Sequence, residues 1–344
     1  MSNEVISQEQ KQSEFSFDVI YDLLILGGGP AGINAAIYAK RKGLNPAIVS
    51  ERLGGQILDT SEIDNYLGLP AVTGFELANK YIEHAKTLDI PMLEGVYVTD
   101  YNRAENPHTE GMDFIHELIL SDGSIARGYT VLLATGSKPR HLNIPGEEKL
   151  NGSGVSYCAI CDGFFFRNKP VVIAGGGNAA LEAAIDMAKI ASEVTIIQRS
   201  RFRADQVLLD LADAQPNIKR IDQTQIQEIV GDFTVEAVRV LDKRTNEIYD
   251  YPTKAVFVEI GHIPTVGPFS GKIERNENGE VIIDDSYHTS ISGVYAAGDV
   301  TTVPFKQIIV AAAQGASAAL VINQDFNHMA GKSPDHVMQP AITV

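Results

Sequence analysis

The chain has no tryptophan, only two cysteines, and no apolar run approaching the ~20 residues that a membrane-spanning helix needs. The cysteine count alone excludes a disulfide-built secreted scaffold and a four-thiolate zinc site. Basic residues are also scarce: 28 Lys and Arg stand against 44 Asp and Glu, a formal net charge of −16. Such a surface repels phosphate backbones and anionic lipid, so neither nucleic acid nor a membrane is an expected partner. The opening stretch MSNEVISQEQKQSEFSFDVIYD has no basic segment followed by an apolar one, hence no recognisable export signal, and a cytoplasmic location is expected. In that setting the Asn151, Gly152, Ser153 tripeptide reads as chance rather than as a glycosylation acceptor.

What is present is ordinary globular material, 44% hydrophobic and 21% charged, in 344 residues. At about 150 residues per domain this length suggests two domains. Residues 1–21 are rich in Ser, Glu and Gln and read as a flexible leader. From Asp22, DLLIL has the character of a buried parallel strand, GGGPAG of a turn, INAAIYAKRKG of a helix closed by Gly43, and NPAIVSE of a second strand. The same grammar returns 148 residues later: PVVIA, GGGNAA, ALEAAIDMAKIA and EVTIIQ. A third block, GVYAAGDV before the helix-like KQIIVAAAQGASAALVINQ, places Asp299 at a strand end. The pattern leaves open whether the two βαβ repeats stand in tandem or one lies inside the other. The tail after about Asn327 has no clear period.

In the first loop, Gly27 suits the tight turn, Gly29 the close approach of a pyrophosphate, and Gly32 helix-to-strand packing, with the helix N-terminus facing the phosphates. Glu51, nineteen residues beyond Gly32, can accept from both ribose hydroxyls of an adenosine. In the second loop, Gly175, Gly177 and Ala180 repeat the fingerprint, but the following strand ends in Gln198. A carboxylate there would repel a 2′-phosphate. Arg199, Arg201 and Arg203 follow instead, which favours NADPH over NADH.

CAICDG sets Cys158 and Cys161 one helical turn apart, just before the second repeat. Alone, the pair would also fit two buried structural cysteines or half of an intermolecular zinc site. Two dinucleotide loops in the same chain favour redox chemistry, since a hydride carries two electrons and a disulfide accepts two. Asp162 follows the second thiol and can protonate a leaving thiolate if burial raises its pKa.

With these residues in hand, the chain resembles the low-molecular-weight thioredoxin reductase family, and also the flavoprotein portion of alkyl hydroperoxide reductases, from about Asp22 to Gln324. The resemblance rests on GGGPAG, ERLGGQ, ATGSKPR, CAICDGFFFRNKPVVIAGGGNAALEAA, RFRAD, IGHIPT and AAGDV followed by KQIIVAAAQG. It implies an α/β fold of two Rossmann-like dinucleotide-binding domains. The NAD(P)H domain, residues 140–264 with the CxxC, is inserted into a discontinuous FAD domain, residues 22–139 and 265–344. It implies that FAD is held by Gly27, Gly29, Pro30, Ala31 and Gly32 in the first loop, and by Glu51, Arg52, Gly55, Gln56 and Asn65 beyond it. Ala134, Thr135 and Gly136 join them, as do Gly298 and Asp299, the latter reaching the ribityl chain. Lys306, Gln307 and Ile308 complete the set, with Gln307 approaching the isoalloxazine ring. NADPH falls to Gly175, Gly177, Asn178, Ala179, Ala180 and Glu182, with Arg199, Arg203, Ile260 and Gly261.

By the same resemblance Cys161 is the thiol nearest the flavin, Cys158 the one that meets a thioredoxin or thioredoxin-like substrate, and Asp162 the acid. A rotation of the inserted domain and a homodimer are implied as well. The pattern departs at the coenzyme, where QRSRFRA is one residue shorter than the family's HRRxxxRA, although Arg199 and Arg203 still match. NADH and ferredoxin are therefore the alternative donors, and a peroxiredoxin or glutaredoxin-like protein the alternative acceptor. A competing class is a dithiol oxidase or a non-catalytic FAD-binding protein. The peroxide-reductase flavoproteins also carry a thioredoxin-like extension, where this chain has only the polar residues 1–21 before its first expected strand.

Overall fold

The computed structural model describes residues 14–60, 63, 65–106 and 113–331; the expected leader up to residue 13 and the tail from 332 lie outside them. The chain forms two compact units, the first from the stretches ending at Asp59, Gly74–Ser137 and from Pro264 onward, the second from Thr60–Thr73 and Lys138–Ile263. The second βαβ repeat is thus an insertion, entered and left through two short strands, Ser137–Pro139 and His262–Pro264, that pair with each other.

The first unit is built on Ile20–Leu26, whose Leu23, Leu24 and Ile25 are fully buried because the strand is covered on both faces. It pairs in parallel with Pro46–Ser50 on one side and Ile125–Leu133 on the other. Ile125–Leu133 is shared. Its first half pairs antiparallel with Phe114–Leu120, and its last three residues pair in parallel with Val294–Ala296, from far along the chain. The first strand begins at Ile20, inside the stretch expected to be a leader, because Ile20 and Tyr21 are in register with Arg127 and Gly128. Phe15 lies against Tyr21 at a centroid distance of 5.1 Å, so the ordered chain starts earlier still.

Helix Pro30–Arg41 opens with proline at a position where its missing N–H costs nothing, and Gly43 just beyond its end takes a φ of +86°. Helix Ile308–Met329 lies along it, reaching slightly past the expected end. The contact is close: a Cβ on Gly315 would collide with the Ala31 carbonyl, and the Asn34 amide donates to the Ala312 carbonyl at 2.8 Å.

In the second unit Pro170–Ala174 is the centre of a five-stranded parallel sheet, between Glu193–Ile197 and Ala255–Val258, with Ile218–Ile221 and Val155–Ser156 at the edges. Helix Asn178–Ala188 follows its glycine loop. It stops three residues short of the sequence expectation, where the Lys189 and Ile190 amides shift to the Asp186 and Met187 carbonyls three residues back. A separate three-stranded antiparallel sheet, Thr224–Val230, Ala237–Asp242 and Glu247–Pro252, completes this unit.

Candidate dinucleotide sites and redox centre

The two glycine loops are built alike. A Cβ at Gly27 would collide with the Ala134 carbonyl, and one at Gly175 with the Glu259 carbonyl, so each loop is pressed against the end of the neighbouring strand. Gly29 and Gly177 instead have nothing within 4 Å of where a Cβ would be. Each caps the following helix without a side-chain hydrogen bond. The first amides of both helices are therefore open to an anion, which is the condition for holding a pyrophosphate. Gly32 packs on the Gly27 carbonyl, and Ala180, fully buried, takes the corresponding place in the second loop.

Around the first loop, Ser50 Oγ accepts from the Gly28 amide at 3.0 Å and donates to the Arg52 carbonyl at 2.9 Å, which fixes the turn carrying the exposed Glu51. Arg52 donates to the Gly55 carbonyl at 3.0 Å, and Gln56 approaches Gly136. Pro30 and Ala31 begin the helix; Ala134, Thr135 and Gly136 leave the end of Ile125–Leu133. Thr135 Oγ1 and Ser137 Oγ are buried without a hydrogen-bond partner. Asp299 is largely buried and its pKa is pushed up to about 6 by desolvation, opposed only by the charge of Lys306. Gly298 donates its amide to Gln314 Oε1 at 2.8 Å, and Lys306 is engaged by Glu280 and the Thr301 carbonyl at 3.0 and 2.6 Å. Gln307 caps the helix that Ile308 opens. Asn65 is exposed, in the stretch Thr60–Thr73 that belongs to the second unit.

The arginine segment is tied to the second loop. Arg203 donates its amide to the Gly176 carbonyl at 2.8 Å, and the Asn178 side chain bridges to Asp205 through bonds of 2.8 and 2.9 Å. Gln198 is buried, packs on Gly176, and accepts from the Arg199 amide at 2.9 Å. Arg199, Arg201 and Arg203 are all exposed, and none forms an ion pair among the described residues. Ala179 and Glu182 are exposed on the helix, and Ile260 and Gly261 follow Glu259.

Cys158 and Cys161 form a disulfide across a Cα–Cα distance of 5.3 Å. Cys158 caps the short helix Ala159–Asp162, with its Sγ accepting from the Cys161 amide at 3.2 Å. Asp162 is raised by burial, although Ser156 Oγ donates to its Oδ2 at 2.6 Å. Its Oδ1 is buried and has no partner. A carboxyl in that state holds a proton at higher pH than an exposed one and has an oxygen free to release it.

Two members of this cluster are not singled out by motif reading. Ser156 orders the turn from below, accepting from the Cys158 amide at 3.1 Å while bonding Asp162. Glu259, largely buried and pushed up to about 7 by desolvation, accepts from the Ala159 amide at 3.4 Å. The available signal for Glu259 is a lone charge ending the otherwise apolar strand Ala255–Val258.

Comparison with known proteins agrees with this architecture. Residues 21–315 match the pyridine nucleotide-disulphide oxidoreductase family. The chain is 41% identical over 311 residues to an alkyl hydroperoxide reductase component of Pseudomonas putida, covering 90% of this chain and 58% of that protein. It is 40% identical over 309 residues to a Bacillus subtilis protein named NADH dehydrogenase, covering 90% and 59%. The chain thus spans about three-fifths of these relatives. Among solved structures, thioredoxin reductase of Streptococcus pyogenes aligns with a TM-score of 0.79 at 35% identity, covering 90% of this chain and 98% of that one. Thioredoxin reductase of Giardia duodenalis gives 0.79 at 28%, covering 90% and 99%.

An inserted βαβ unit carrying a disulfide closed within a CxxC turn defines a class of two-unit oxidoreductases. Within that class, the chain belongs to the pyridine nucleotide-disulphide oxidoreductase family and has the thioredoxin reductase fold. The family implies FAD and a nicotinamide nucleotide. The residues fit both groups, on the open Gly29 and Gly177 helix starts, the unbonded Thr135 and Ser137 hydroxyls, and the buried Asp299. Among the described residues no helix is long and apolar enough to cross a membrane, and no cluster of side chains could hold a metal.

Proposed function

We propose that this chain is a disulfide reductase that takes electrons from NADPH and delivers them, by way of FAD and the Cys158–Cys161 pair, to thioredoxin or a thioredoxin-like protein. The observation that carries this reading is the disulfide itself, closed within a turn whose buried neighbour Asp162 keeps one oxygen unbonded. When bound, FAD would supply two-electron exchange between a hydride donor and a sulfur pair. On the first unit, Gly27, Gly29 and Gly32 leave room for its pyrophosphate, Glu51 for the adenosine ribose, and Asp299 for the ribityl hydroxyls. Arg199 and Arg203 would pair with the 2′-phosphate of NADPH, which a planar guanidinium grips in two places.

At the substrate end, Cys158 attacks the partner's disulfide, Cys161 resolves the mixed disulfide, and Asp162 gives its proton to the departing thiolate. Ile160, Phe164 and Phe165 are exposed around the pair and offer an apolar face on which a protein substrate would dock. The working form is proposed to be a homodimer.

The similarity to alkyl hydroperoxide reductase components favours a second reading, with NADH as donor and a peroxiredoxin as acceptor. Gln198, uncharged at the strand end, discriminates against neither nucleotide. Anaerobic titration of the flavin with NADPH, NADH and reduced ferredoxin in parallel separates the donors. NADPH is expected to bleach the flavin absorbance at the lowest concentration. If NADH alone does so, the second reading holds; if only dithionite or ferredoxin does, the nicotinamide assignment is lost. Ranking kcat/KM over thioredoxin and peroxiredoxin substrates then fixes the acceptor.

A further inference from the structure

Glu259 takes no part in the scheme above, yet it bridges the two working parts of the second unit. Its carbonyl closes over Gly175 in the nucleotide loop, and its carboxylate receives the Ala159 amide, the first residue between the two cysteines. A glutamate here is costly to bury, and a neutral acceptor would satisfy the same amide without that cost.

We propose that Glu259 is a second proton-carrying group of the redox centre, a positioning residue that holds the CxxC turn through Ala159 and gains or loses a proton as the charge on the cysteines changes. The idea rests on the reading that Cys158 and Cys161 are the redox pair. Opening the disulfide breaks one S–S bond and takes up two electrons; with two protons the products are two thiols, and with one they are a thiol and a thiolate. When a dithiol reductant supplies both electrons, it closes its own disulfide and releases two protons. A thiolate near Glu259 strengthens the hold of the carboxyl on a proton, and an ionised Glu259 raises the thiol pKa in return.

The surroundings leave few other candidates for such coupling. The flanking strands Val155–Ser156 and Pro170–Ala174 and the loop Gly175–Gly177 carry no ionisable side chain. The CxxC turn carries Asp162, bonded to Ser156, and Tyr157 precedes it, bonded to Glu147. Helix Asn178–Ala188 carries only Glu182 and Asp186, both exposed, the latter paired with Lys189. Burial raises the Glu259 pKa to about 7, and the bond from the Ala159 amide opposes that rise.

The test uses the full chain with Cys161→Ser, leaving one thiol, and follows iodoacetamide alkylation of Cys158 between about pH 5 and 9, a range spanning both titrations. Two steps are expected: that of the thiol and one near pH 7. Glu259→Gln keeps an oxygen for the Ala159 amide but cannot titrate. It should remove the lower step and speed alkylation at pH 8 about threefold or more. Asp162→Asn should retain the step, and Glu259→Asp should restore it at a displaced pH. The proposal is overturned by a Glu259→Gln profile that superimposes on its parent, or by a step that vanishes in Asp162→Asn instead. A single-step profile in the parent overturns it too, even if the Gln variant does not fold. None of these results depends on the electron donor or the protein acceptor, so a failure here is distinct from a failure of the wider reading.

Discussion

Asp162 and its single unbonded oxygen make the most direct prediction at the scale of one residue. Asparagine in its place keeps the bond from Ser156 but has no proton to give to a leaving thiolate. Steady-state reduction of a disulfide substrate by Asp162→Asn should fall roughly 100-fold, the lower end of what a positioned acid contributes. Because burial raises the Asp162 pKa, the parent should lose rate as pH climbs past that value, and the variant should lack this limb. A pH profile identical in slope for both would remove Asp162 as the acid. Cys158, Cys161 and Asp162 are legible in the sequence because they are contiguous, so spacing alone brings them together. Ser156 and Glu259 are not: a serine two residues upstream belongs to no motif, and a carboxylate a hundred residues downstream meets the turn only after parallel strands pair.

Elements with long apolar runs are the ones that can be read directly. Ile20–Leu26, Pro170–Ala174 and their helices follow from buried parallel strands, glycine turns and periodic alanines. Val155–Ser156 and Ser137–Pro139 are too short to leave a period, and exist because a neighbouring strand accepts them; Val294–Ala296 is legible as a strand, but not the partner it takes. The contact between helices Pro30–Arg41 and Ile308–Met329 is similarly silent in sequence, although everything at the first loop leans on it. Valine at Gly315 would drive a branched side chain into the Ala31 carbonyl, at the start of the helix proposed to face the pyrophosphate. Gly315→Val should cost about 2–3 kcal/mol of stability, as overpacked cores do, and should lower flavin content in parallel. Thermal unfolding and the flavin-to-protein absorbance ratio would check both; unchanged flavin content would separate the helix contact from cofactor binding.

For the molecule as a whole, the repeated βαβ grammar could not tell tandem units from an insertion, because both write the same motifs in the same order. The pairing of Val294–Ala296 with Ile125–Leu133 distinguishes them. Global stability also carries a pH dependence centred on His116, which is 2% exposed, hydrogen-bonded to Tyr101 at 2.9 Å, and lowered to about 4 by burial. The unfolded chain takes a proton near pH 6.5 while the folded one refuses it until about 4, so His116 costs stability as pH falls through that window. Asp299 and Glu259, raised in the folded state, favour it progressively over the same fall and mask the effect. The comparison with His116→Phe isolates it. Between pH 6.5 and 4 the parent should lose on the order of 3 kcal/mol relative to the variant in denaturant unfolding. A pH-independent gap would mean that His116 is protonated in the native protein.

The strand Val294–Ala296 and the helix Ile308–Met329 also impose an order on the birth of the protein. Each completes a unit begun more than a hundred residues earlier, so a nascent chain that has emerged through Ser137 carries an open strand edge and an uncovered helix face. The inserted unit has every strand of its own sheets by Ile263 and can close while the ribosome is still working. At ordinary rates of synthesis the outer unit then waits on the order of ten seconds for its missing pieces. The half-made polypeptide, more than the finished one, is the species expected to expose apolar surface and an unpaired strand edge.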